Sequence, residues 1–167
     1  MKKRRNQLPK IYLKMFSEID RHKRERQAAE MSRPMKNMLD LLAQGECYEI
    51  EGKTVLPLFE IDKKFNKQAD WLDVAQAISD WVDFWTRLEP KAHAYDMRVL
   101  AKNIGESKLI TQALMDKARA EFDAMVARLP DIPLEEIAKA VRTTNIATAF
   151  AKLQKAEQSE AEERKAA

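Results

Sequence analysis

Residues 71–88 read Trp71-Leu72-Asp73-Val74-Ala75-Gln76-Ala77-Ile78-Ser79-Asp80-Trp81-Val82-Asp83-Phe84-Trp85-Thr86-Arg87-Leu88. Trp71, Val74, Ile78, Trp81, Trp85 and Leu88 follow one another at steps of three and four. Ala75, Val82 and Phe84 widen the stripe. That period is an amphipathic helix with a bundle seam. The three tryptophans read as core, with an anchor patch for a partner as the alternative. Asp70 suits the N-cap. Asp70, Asp73, Asp80 and Asp83 fall behind the stripe, as an acidic back expected to face solvent.

Toward the C-terminus, Pro90 suits the first position of a helix over 90–104, with Tyr95, Val99, Leu100 and Ile104 inward and Gly105 at its end. Ser107 is placed to cap a long helix reaching Leu129. Pro130 and Pro133 bracket a turn, and a short helix follows with Leu134, Ile137, Ala138 and Val141 inward. Thr143 or Thr144 then caps a last helix whose apolar positions, Ile146, Ala149, Phe150 and Leu153, stop at 153.

Toward the N-terminus, residues 58–68 suit a short helical turn. Cys47–Ile50 and Lys53–Leu56 flank Glu51-Gly52, a hairpin signature over about 46–57. Such a hairpin is not stable alone and needs a helix or another strand. Pro34 marks a boundary, followed by a short helix with Met35, Met38, Leu39 and Leu42 that Gly45 stops. Before it, Leu8, Ile11, Tyr12, Met15, Phe16 and Ile19 make the docking face of a helix starting at Pro9. The apolar-free run Asp20–Arg26 is expected to project into solvent. The fold class is mainly α: a compact bundle of five to seven helices with one β-hairpin and a basic N-terminal helix. Residues 1–7 form a disordered basic arm, 8–153 a single helical domain and 154–167 a polar, frayed helical tail.

Composition agrees. Apolar residues make up 45% of the 167, enough for a core, and three glycines are too few for a loop-rich or all-β fold. The lone Cys47 cannot form an internal disulfide and reads as a buried structural thiol. No apolar stretch follows the basic start as in a signal peptide, and none approaches a membrane span. A cytoplasmic protein without membrane contact is expected. His22 and His93 have no second ligand at metal-binding spacing, and the glycines build no phosphate loop. Nothing argues for an enzyme, a cofactor or a metal.

Charge is the functional signal. Residues 1–36 hold twelve Lys/Arg against four Asp/Glu, a net +8, whereas the remaining 131 residues are −5. A basic arm on an acidic body points to a polyanion or an acidic protein surface. Lys2, Lys3, Arg4, Arg5, Lys10, Lys14, Arg21, Lys23, Arg24 and Arg26 are the candidate phosphate contacts. Six of them, Arg4, Arg5, Arg21, Lys23, Arg24 and Arg26, predict roughly a thousandfold loss of affinity from 50 to 200 mM salt. Two later segments, 97–114 and 134–148, resemble the helix-turn-helix pattern of many regulators. The first has Ala101 and Gly105 near its turn, the second the run Glu136-Ile137-Ala138-Lys139-Ala140-Val141. Thr111 and Thr148 stand where that pattern wants a branched apolar residue. The resemblance adds Lys108, Arg142 and Asn145 as candidate contacts. The expected function is non-enzymatic binding of nucleic acid, DNA favoured over RNA, by a small regulator or an accessory factor in DNA processing. The alternative is a protein-interaction or assembly subunit, a homo-oligomer being one form of it, whose basic N-terminal helix docks on an acidic partner surface.

Overall fold

A computed structural model describes residues 10–44, 46–56, 64–66 and 69–166, with side chains described for 18–44, 46–56, 71–155 and some positions of the final helix. The order is α1 (Lys10–Leu42), β1 (Tyr48–Ile50), β2 (Lys53–Val55), β3 (Lys64–Asn66), β4 (Ala69–Asp70), α2 (Trp71–Leu88), α3 (Tyr95–Gly105), α4 (Gln112–Arg128), a 3-10 turn (Leu129–Asp131), α5 (Leu134–Thr143) and α6 (Ile146–Ala166). The chain is a mainly-α bundle with a β-hairpin at 48–55, as the periodicity requires.

Helix α2 is the centre. Val74, Ile78, Trp81 and Phe84 are fully buried, and Trp85 nearly so. The Trp81 ring lies 5.3 Å from Phe84, 5.2 Å from Phe122 of α4 and 5.8 Å from Phe150 of α6. Its indole N–H points at the Met125 sulfur, 3.2 Å away. One side chain thus ties three helices, and Trp81 and Trp85 are core.

The hairpin closes through Glu51 (φ 50°) and Gly52 (φ 76°). Two consecutive left-handed residues define the turn that matches strand twist. Tyr48 faces Val55, Glu49 faces Thr54 and Ile50 faces Lys53. The stabilising neighbour is a third extended piece: the Leu56 N–H donates to the Ile110 carbonyl at 2.9 Å, and Val55 bridges to Thr111.

Several boundaries depart from the sequence expectation. Pro34 lies inside α1 instead of ending a helix, and it is buried. A proline inside a helix costs about 3 kcal/mol. Here Ala28, Met35, Met38, Leu39 and Leu42 all pack along one face of the unbroken helix and offset it. Residues 64–66 form a strand paired with β4, not a helical turn; 57–63 and 67–68 lie outside the described residues.

Helix α3 begins at Tyr95, not Pro90, because 89–94 make a turn closed by the Ala92 N–H on the Glu89 carbonyl at 3.0 Å. Tyr95 is 71% exposed rather than inward. Ala94 offers no capping side chain; Glu121 of α4 accepts from the Met97 N–H at 2.8 Å instead. Helix α4 starts at Gln112, and Thr111, not Ser107, caps it by accepting from the Leu114 N–H at 3.2 Å. Thr143 and Thr144 close α5 rather than open α6: Thr143 Oγ1 donates to the Lys139 carbonyl and Thr144 Oγ1 to the Ala140 carbonyl. Helix α6 runs to Ala166, well past its last buried apolar residue, Leu153.

Candidate nucleic-acid interface

Lys2, Lys3, Arg4 and Arg5 lie outside the described residues. Lys10 and Lys14 belong to the first turns of α1, and their side chains lie outside them too. The described part of the basic run divides into two groups.

Arg21 and Arg24 turn toward the body. Arg21 Nη1 donates to Asp131 at 2.9 Å, and its Nε to Glu25 at 3.2 Å. The hydrogen bond and charge of Asp131, then the charge of Glu25, raise the guanidinium above its ordinary range. Arg24 is half-buried and donates to the Ile132 carbonyl. The run Asp20–Arg26 therefore does not simply project into solvent. The half-buried Arg24 satisfies the Ile132 carbonyl, and the exposed Arg21 pairs with Asp131 at the end of the 3-10 turn.

Lys23 and Arg26 are exposed and form no ion pair among the described residues. Arg33 and Lys36, further along α1, share that state. From Lys23 to Lys36 the helix rises about 20 Å at 1.5 Å per residue. Glu25 and Glu30 are the acids exposed between them, and Glu25 is paired with Arg21. Because α1 continues through Pro34, Arg33 and Lys36 share its outer half with Arg26, and Arg33 stands nearly in register with Arg26.

The helix-turn-helix segments do not assemble as groove readers. Between α3 and α4 stand residues 106–111, longer than the three or four residues of that turn. Ile110 and Thr111 are engaged with the hairpin. Lys108 lies in this connection, its Nζ 2.6 Å from Glu106. The hydrogen bond from Lys108 holds the Glu106 carboxyl below its usual range. Gly105 ends α3, but the left-handed residue is Ser107, at φ 55°. Helices α5 and α6 are joined by Thr144 and Asn145 alone. Arg142 and Asn145 are exposed, yet Asn145 and Thr148 line a cleft against α2.

Two chemical expectations change as well. Cys47 is exposed, its sulfur 3.4 Å from Gln112 Oε1, because strand β1 begins only at Tyr48. The acidic back of α2 is not a uniform solvated face: Asp83 is exposed, but Asp80 is only 6% exposed. His22 is exposed beside Glu25, at 3.5 Å. Among the described residues no group of three His, Cys, Asp or Glu could hold a metal ion, and no helix is long and apolar enough to cross a membrane. Comparison with protein-family models, with curated proteins and with solved structures gives no significant match.

Proposed function

We propose that the protein binds nucleic acid through the outer face of α1, by phosphate contact and without reading bases. The observation that carries this is the set Lys23, Arg26, Arg33 and Lys36, spread over the outer half of α1 with Arg26 and Arg33 in register, all exposed and without ion pairs among the described residues. Cations spread over about 20 Å of helix suit a phosphate backbone better than a small anion. In sequence it continues into Lys14, Lys10 and the Lys2–Arg5 cluster. Duplex DNA is the favoured ligand, with single strands and RNA as comparison.

The test is fluorescence anisotropy with labelled duplex at low salt. Replacing Lys23, Arg26, Arg33 and Lys36 together by Gln is expected to weaken binding at least a hundredfold while the thermal melt stays cooperative. Equal affinity of the wild type and this variant would overturn the reading. Deleting residues 1–33 would remove Ala28 and Ser32 from the core, so point substitutions are the cleaner experiment.

The second reading, an assembly subunit, draws on Ile19, 61% exposed between exposed Glu18 and Asp20. An oligomer seen by light scattering without nucleic acid, and dissolved by Ile19→Lys, would favour it.

A further inference from the structure

Helices α2 and α6 cross over a cleft of about 360 Å³. Its floor is made by Ala77 and Ala149, small enough to leave space between the helices, with Leu153 beside them. Asp80 lines the cleft and is 6% exposed. The Gln76 amide donates to Asp80 Oδ1 at 2.9 Å, and among the described residues the carboxylate forms no ion pair. Carboxylates this buried are almost always paired with a cation, because taking the charge out of water costs several kcal/mol. Gln76 takes up one oxygen only, and Oδ2, which is not among the buried atoms lacking a partner, opens on the cleft.

The far end of the cleft carries Lys152 and Lys155 against Asp73, a net excess of one cation. Trp81 stacks on Phe150, and Lys152 reaches Asp73 at 4.0 Å, so α6 runs past α2 in the opposite sense. The first turn of α6 lies toward Asp80, and Lys155 lies toward the start of α2. Lys155 lines the cleft, is exposed, and has no ion pair among the described residues. Thr148 and Lys155 are two turns apart, about 10 Å along the helix. An unpaired buried anion and an unpaired cation thus face one apolar-floored space from its two ends.

We propose that the α2–α6 cleft binds a small aliphatic zwitterion, with its ammonium on Asp80 and its anionic group at Lys155. An ammonium fits better than a guanidinium, whose fork needs two carboxylate oxygens; Gln76 already occupies one of them. A bare divalent ion wants six or more oxygen ligands, and no carboxylate-rich group of that kind exists among the described residues. The Ala77, Ala149 and Leu153 surfaces suit a methylene chain, and the volume falls within the range of small-molecule sites.

The probe is 6-aminohexanoate, titrated by calorimetry into the full chain, with pentylamine and hexanoate as single-charge controls. Saturable one-site binding of 6-aminohexanoate is expected, with pentylamine weaker and hexanoate silent. Asp80→Asn is expected to weaken 6-aminohexanoate at least tenfold, and Thr148→Phe to abolish binding by filling the cleft. Lys155→Met should bring the zwitterion down to the pentylamine level. The proposal fails if millimolar 6-aminohexanoate does not bind the wild type, or if hexanoate binds as well. It fails equally if Lys155→Met changes nothing, or if Asp80→Asn and Thr148→Phe proteins with cooperative melts keep full affinity.

Discussion

Asp80 shows how one side chain can cost stability for a reason other than packing. The residue is 6% exposed, and among the described residues its carboxylate accepts one hydrogen bond, from the neutral Gln76 amide. Asparagine keeps the shape and keeps an oxygen for Gln76, while removing the charge. Asp80→Asn is therefore expected to stabilise the protein by about 1 kcal/mol, the lower end of what neutralising a buried charge yields. For a chain of this size that is about 2–4 °C in the melting temperature, readable by circular dichroism. A fall in melting temperature would show that the charge has a stabilising partner. The heptad-like spacing of α2 told which of its residues are core, but it also placed Asp80 on the solvent side. Periodicity locates one stripe; it does not reveal a second helix, α6, laid across the flank.

At the scale of elements, the α3–α4 connection is decided by closure geometry more than by residue preference. The Lys108 N–H bonds to the Asn103 carbonyl at 2.8 Å, and the Ser107 N–H to the Ile104 carbonyl at 3.1 Å. This is the paired closure of a helix that ends on a left-handed residue, a position usually held by glycine. Ser107 occupies it at φ 55°. Ser107→Gly is expected to raise stability by about 1 kcal/mol, whereas Thr111→Ala, which removes the cap on the Leu114 N–H, should lower it by about the same amount. Urea unfolding of the two variants checks both signs. If Ser107 were the cap that its composition suggests, Ser107→Gly would lose stability instead. The residue types the connection needs stand a few positions early in the sequence: Gly105 two residues before the left-handed position, and Ser107 four residues before the cap. The hairpin was legible because Glu51-Gly52 fixes its own turn locally. The partner strand at 110–111 was not, since its pairing spans more than fifty residues.

For the molecule as a whole, the question is which cations of the basic segment are available to a polyanion. The +8/−5 division is visible in the sequence, but the division of labour inside it needs the three-dimensional position of Asp131 and Ile132. Arg21 and Arg24 hold α1 to the body, while Lys23, Arg26, Arg33 and Lys36 look outward. The two groups predict different responses to salt. If the four outward cations each neutralise one phosphate of a duplex, they contribute about −3.6 to the slope of log affinity against log salt concentration. Their joint replacement by Gln should make the slope shallower by about that amount. Arg21→Ala should leave the slope unchanged and instead lower the melting temperature, because it frees Asp131 and loosens the junction with α1. Anisotropy titrations from 50 to 200 mM salt separate these outcomes. A slope that falls with Arg21→Ala and not with the four outward changes would return the contact surface to the inner arginines and remove the argument from the outer face of α1.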